Sequence, residues 1–140
     1  MMSNMMMFIS MFIIQYVFMS FIMTNRFENI TNSLGKIYIS TMMGLSMIIL
    51  MNIMMYKVNI NQTITYIGLL IVVIYLYKIQ FGINDKNYLK EMIEHHSMAL
   101  LTSKQIIKKT NSSPVADIAQ RIINTQEKEI QEMRNMVMMV

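Results

Sequence analysis

Cysteine is absent from this chain, which excludes disulfides, thiolate metal sites and cysteine nucleophiles together. Any soft-metal ligand must then be thioether or imidazole, and imidazole is scarce: His95 and His96 are the only two histidines. Charge is also scarce, at 14% of 140 residues with a net of +4. The basic excess is not concentrated. Residues 1–83 carry Arg26, Lys36, Lys57 and Lys78 against Glu28, and the remainder is nearly neutral with both signs interspersed. That excludes the basic face on which counterion release would drive nucleic-acid binding. Also missing are a Ser-His-Asp set, a phosphate-cradling glycine loop and a His-Glu-x-x-His motif, so no catalytic reading arises.

Apolar residues are abundant instead. They make up 54% of the chain, with a mean hydropathy of +0.40, more than a soluble domain of this length usually carries. Three stretches, Met5–Met23, Ile37–Met55 and Ile64–Ile83, approach the roughly 20 residues needed to cross a hydrocarbon core. Arg26 and Lys36, then Tyr56 and Lys57, then Tyr75, Tyr77 and Lys78 stand at their ends as interfacial anchors. No basic residue precedes the first stretch and no small-residue cleavage pattern follows it, so it reads as a retained span, not a signal peptide. The expectation is an integral, multi-pass membrane protein with the lipid bilayer as solvent for residues 1–83 and a polar domain over 84–140. Three spans put the two termini on opposite sides. Positive charge, counted alone, puts the polar domain inside.

Within 84–140 the punctuation is helical. Gly82 is placed to end the third span, and Asn84 or Asp85 to cap a helix running to about Thr110, with Lys108 and Lys109 in its last turn. Ser113-Pro114 starts a second helix reaching about Val137, and the short link at Asn111-Ser112 makes the pair antiparallel. Apolar stripes run along both: Leu89, Met92/Ile93, Ala99/Leu100 and Ile106/Ile107 on the first, Val115, Ile118/Ala119, Ile122/Ile123, Ile130, Met133 and Val137 on the second. One polar intruder interrupts each stripe, His96 and Gln126. A turn near residue 112 brings His95 and His96 level with Gln126, Glu129 and Ile130, and Met92 level with Met133. Two polar groups buried at one height satisfy each other or hold something between them.

Two accounts of that meeting stay open on the residues alone. In one, His96 and Gln126 form an internal hydrogen bond and do nothing more. In the other, the imidazoles and the thioethers of Met92, Met98, Met133 and Met136 form a set suited to Cu(I). Here the sequence resembles a known family, the domain of unknown function 305, whose better-known members are CopM-like copper-binding proteins. The resemblance rests on Tyr88-Leu89, Met92-Ile93, His95-His96, Ala99, Ala119, Ile122-Ile123, Gln126, Glu129-Ile130 and Met133, and covers roughly residues 85–138. It implies a ferritin-like helical fold and copper binding, with His95, His96, Met92 and Met133 as ligands and Gln126 and Glu129 hydrogen-bonding behind them. Apolar helices ahead of one such domain also look like a membrane-anchored subgroup. The chain departs from the family pattern at Glu94, where proline is common, and at Met98, where glycine is common, so that Met98 adds a ligand or fills space.

A lone hairpin of this size buries too little surface to be comfortable. Pairing with a second copy into a four-helix bundle, as a homodimer, is the preferred remedy, and packing against the loops of the spans is the other. Di-iron chemistry is not expected, because the residues three before His95 and His96 are Met92 and Ile93, not glutamates. The Met43, Met47, Met51 and Met54/Met55 stripe reads as apolar packing in preference to a Cu(I) path, and Ser40 with Gly44 forms a small-xxx-small pair that lets two helices approach. The expected architecture is therefore all-α, three transmembrane helices and then a two-helix antiparallel hairpin, half of a ferritin-like four-helix bundle. The expected role is soft-metal binding, copper as Cu(I), for sequestration or handling, without catalysis. The competing role is structural: a membrane protein whose hairpin mediates oligomerisation or partner binding.

Overall fold

The computed structural model describes residues 3–54 and 59–140, so Met55, Tyr56 and Lys57, three residues named above, lie outside the described residues. Among those described, regular structure is entirely helical. Five long helices follow one another: α1 (Asn4–Met23), α2 (Leu34–Met54), α3 (Ile60–Lys78), α4 (Asp85–Ile107) and α5 (Ser113–Val137). The chain divides into two compact units, one of residues 1–19 and 34–83, the other of residues 20–33 and 84–140.

Polar side chains set the helix starts. Ser3 accepts from the Met6 amide at 3.3 Å, Asn59 from Gln62 at 3.3 Å and Asn84 from Asn87 at 2.9 Å, each satisfying a donor that the first turn leaves open. These caps move boundaries that hydropathy alone puts elsewhere. Asn59 starts α3 at Ile60, not at Ile64, and the helix ends at Lys78, not at Ile83. Its end is a two-bond closure in which Phe81 N–H reaches Leu76 O at 2.9 Å and Gln80 N–H reaches Tyr77 O at 3.0 Å, with Gln80 left-handed at φ 55°. Gly82, also left-handed at φ 71°, serves the following turn. Ser112, one residue earlier than expected, is the N-cap position of α5, with Pro114 in its first turn.

The first unit is apolar on the outside, and within it Met7, Leu45 and Ile48 are buried beside small and polar side chains. α1, α2 and α3 are each long and apolar enough to cross a membrane, with mean hydropathies of 2.0, 1.8 and 1.6. α1 packs on α2, and α2 on α3. The α1–α2 crossing is made at Ser40, which is fully buried, and at Gly44, where an added Cβ would lie 2.6 Å from Phe8 Cδ2. Lys36, also buried, lays its ammonium 4.9 Å from the centre of the Tyr16 ring, which stands in a wide π-helical turn over Ile14–Met19. Hydroxyls are satisfied along their own helices: Ser40 donates to Lys36 O, Thr41 to Ile37 O and Thr65 to Asn61 O. Ile53, Ile64, Ile71, Val72 and Tyr75 meanwhile stay exposed.

In the second unit α4 and α5 run antiparallel around a core of Ile93, Leu100, Ile123 and Ile130, extended by Ile107, Met133 and Val137. Residues 20–33, read from sequence as the end of the first span and the connection after it, belong to this unit and form a strap across the hairpin. The strap begins with the last helical turn of α1, Ser20–Met23, and contains a second short turn, Phe27–Asn29. Of the two remedies for a small hairpin core, covering by a loop between the apolar helices is the one seen within this chain.

Candidate functional site

The two sides of the hairpin are chemically different. On the strap side, the buried Glu94 carboxyl accepts from Ser20 Oγ and from the Thr31 amide at 3.0 Å. One turn on, Ser97 Oγ accepts from the Asn25 amide at 2.9 Å and from Asn29 Nδ2 at 3.0 Å. Thr31 Oγ1 donates to Lys90 O at 2.6 Å. From α5, Arg134 reaches Asn29 Oδ1 at 2.7 Å and Glu28 Oε1 at 3.1 Å. The Arg134 guanidinium, helped by hydrogen bonds from Arg26 and Arg134, holds the Glu28 carboxyl below the usual carboxylate range. No buried side-chain donor or acceptor among the described residues lacks a partner. The strap is thus fixed by a polar lattice, where the hairpin's own interior is aliphatic.

Lys90, Glu94 and Ser97 follow one another at helical spacing. Tyr88, Met92, His95, Ala99 and Ile106 form another row, roughly half a turn away. On α5 the corresponding open row is Val115, Ile118, Ile122, Thr125, Glu129 and Met136, away from Arg134. Most of the residues singled out from sequence lie on or beside this second face, while Met98, one turn on from Glu94, stands between it and the strap side. His95 is exposed, while His96, Met92, Met98, Met133, Gln126 and Glu129 are half-buried. Three of them meet: His96 Nε2 lies 2.9 Å from Glu129 Oε2, and Gln126 Nε2 donates to the same oxygen at 3.2 Å. His96 and Gln126 therefore do not bond each other directly, because the Glu129 carboxylate stands between them and takes both donors. Met133 packs on the aliphatic core.

The implied copper can be tested against this geometry. Among the described residues no three His, Asp or Glu side chains are grouped closely enough to hold a metal ion. The group that engages His96 is a carboxylate, a hard oxygen donor, where Cu(I) favours sulfur and nitrogen.

Glu94, Ser97, Asn29 and Arg134 were not singled out from sequence as a cluster. Glu94 and Ser97 do share one side of α4, but only the strap's arrival shows that this side is buried.

The architecture is that of an all-helical protein with three helices apolar enough for a membrane. The domain of unknown function family DUF305 matches over residues 74–137. The chain is also similar to "Uncharacterized protein L153" of Acanthamoeba polyphaga mimivirus, with 32% identity over 134 residues, covering 94% of this chain and 88% of the relative. The chain belongs to the DUF305 family. No solved structure matches it.

Proposed function

We propose that this is a multi-pass membrane protein whose helical hairpin is an assembly module, pairing with a second copy through the His-bearing face. The observation that carries the proposal is the apolar row left open there: Ile118 and Ile122 are 52% and 38% exposed, continued by Val115 and Met136 on α5 and by Tyr88 and Ile106 on α4. The strap lies on the other side of the hairpin, so this face has no partner from the described residues of its own unit. An exposed apolar row of this kind, interrupted by Thr125, Glu129 and His95, marks an interaction surface. A second copy suits it because two hairpins complete a four-helix core that one is too small to supply. Asp117, Arg121, Lys128 and Glu132 flank the row with balanced charge, so self-approach meets no net repulsion. In this reading His96, Glu129 and Gln126 are an internal network that keeps the polar positions of the interface satisfied.

Membrane insertion of α1–α3 is supported by the outward apolar surface and by connectivity. The strap precedes α2 and the hairpin follows α3, so two crossings separate them and both emerge on one side, as their hydrogen bonds require.

Because the chain has no native cysteine, single substitutions give a clean test. Ile122→Cys, on the open face, is expected to crosslink between copies in membranes treated with a short bismaleimide, while Gln131→Cys, beside the strap, is not. Equal labelling of both without crosslinking overturns the proposal.

A second reading is favoured by the half-buried Met92, Met98 and Met133 standing within a turn of the His pair's level. Two copies meeting through this face would join their imidazole and thioether sets, completing a soft-metal site that one copy lacks. A Cu(I) competition titration beside His95→Ala/His96→Ala tests it, and no competition by the intact protein removes copper from the account.

A further inference from the structure

We infer that the seam between the strap and the hairpin is a binding site for a small monocarboxylate, its charged end taken by Arg26 and Arg134 and its apolar end resting on Leu100 and Ile130. The seam holds a cavity of about 230 Å³, walled by the strap on one side and by α4 and α5 on the other, all within the second unit. Pockets that take drug-sized ligands measure roughly 300–1,000 Å³, so the occupant here is smaller. Its sign follows from the charges on the wall. Arg26 Nη1 and Arg134 Nη2 both contact the same oxygen, Glu28 Oε1, at 3.4 and 3.1 Å. Two guanidinium groups thus share a single carboxylate. Glu127, the other acid on the wall, is held by Lys104 at 2.6 Å. Three cations therefore face two carboxylates, which leaves one positive charge unanswered. Arg134 commits only Nη2, to Glu28 and Asn29, and Arg26 only Nη1, so each keeps part of its five-donor fork for another acceptor. The side-chain amides of Asn25 and Gln131, on the same wall, bond no described residue and add further donors.

Net charge also selects the class of anion. A monocarboxylate cancels the surplus and accepts from a guanidinium edge through two oxygens. A phosphate dianion would bring an excess negative charge beside Glu28 and Glu127, and a neutral amide would leave the surplus cation unanswered. The floor is aliphatic, because Leu100 and Ile130 belong to the hairpin core, so a short alkyl group suits it better than a hydroxylated one. The site is complete only while the strap lies on the hairpin, since Arg26 comes from the strap and Arg134 from α5. Occupancy and strap closure are therefore linked, and a ligand that binds the closed form stabilises it by mass action. Neither the pairing of copies nor membrane insertion enters this inference.

The test titrates the full chain, purified in mild detergent, with butyrate in a calorimeter, and with butyramide and inorganic phosphate for comparison. Butyrate is expected to saturate a single site per chain and to bind about tenfold or more tightly than either of the others. Arg26→Ala should weaken butyrate about tenfold while the strap stays closed, because Arg26 makes none of the contacts to Glu94, Ser97 or Arg134. Glu28→Gln, which removes the carboxylate that competes for both guanidinium groups, should leave butyrate binding intact or tighten it, whereas a merely structural role for the pair predicts a loss in both variants. Hydrogen exchange at residues 24–32 checks that the strap is closed in each variant, and saturating butyrate should raise protection there in the wild type. Equal binding of butyrate and butyramide by the wild type, tighter binding of phosphate, or an Arg26→Ala chain with a closed strap and undiminished butyrate binding overturns the site.

Discussion

Replacing Glu94 by alanine is expected to detach the strap from the hairpin without melting the hairpin itself. The wild-type carboxyl accepts from Ser20 Oγ and from the Thr31 amide, with Thr31 Oγ1 at 3.5 Å as a marginal third donor. Ser20 is 3% exposed, so water does not replace the bond its hydroxyl loses, at a cost of about 1–3 kcal/mol. Thr31 is half-buried and recovers part of its loss from water, so a total of about 2–4 kcal/mol is reasonable for the strap's closure. At 1.4 kcal/mol per tenfold, the open population of the strap should rise by roughly thirtyfold or more. Hydrogen exchange of the detergent-solubilised full chain reads this directly: amides in residues 24–32 should lose protection, while those of Ile123 and Ile130, in the aliphatic core, should not. Glu94→Gln, which keeps an accepting oxygen and the side-chain shape, should lose much less. Unchanged strap protection in Glu94→Ala, or equal loss across the strap and the α4–α5 core, would refute the idea that this carboxyl locks the strap locally.

Other perturbations test other parts of the structure. Gly44→Ala puts a methyl group 2.6 Å from the Phe8 ring and 3.2 Å from its carbonyl, so overpacking of about 1–3 kcal/mol should outweigh the roughly 1 kcal/mol gain in helix propensity, whereas Gly68→Ala, with open space around it, should show the gain alone. Thermal inactivation in detergent should therefore move in opposite directions for the two. Gln80→Gly should raise stability by about 0.5–1 kcal/mol by relieving the left-handed backbone, less whatever its exposed bond to Tyr77 O contributes, and no gain would argue that Gln80 is not strained. Glu28 has its carboxyl pKa depressed in the fold, so its contribution is present above the ordinary glutamate range of roughly pH 4 and is lost as pH falls through the lower folded value. Strap protection at residues 27–30 should decline with acidification below that range, and Glu28→Gln should flatten the decline.

Much of the helical layout could be read in the residues because it depends on local signals: apolar runs, Asn84 as a cap, and the Ser-Pro start of α5. The end of α3 was less legible. Ile79, Phe81 and Ile83 keep the hydropathy high past Lys78, and only the backbone shows that Gln80 has already turned left-handed. The level at which His96 meets α5 follows from the turn at residue 112, and the resemblance names Glu129 beside Gln126 there, yet the residues alone pair His96 with Gln126. Gln126 was the intruder in the apolar stripe, but Glu129, one turn further on, is long enough to reach both donors. The strap was the least legible part. Its bonds join residues 59 to 105 positions apart, such as Thr31 with Lys90 and Asn29 with Arg134, and no periodicity announces a pairing at that range.

That separation has a consequence for how the chain is made. Ser20, Asn25 and Asn29 leave the ribosome long before Glu94 and Ser97 exist, so for most of synthesis the strap waits without its acceptors. On the membrane reading proposed above, its lattice closes only after α2 and α3 have both been inserted, because a chain that skips one of them delivers the hairpin to the opposite side from the strap. Such a chain leaves the strap's polar groups unsatisfied and the hairpin uncovered. In that reading the Glu94–Ser97 lattice rewards only the completed topology, and works as a check on membrane insertion written into helices that are made after the three apolar ones.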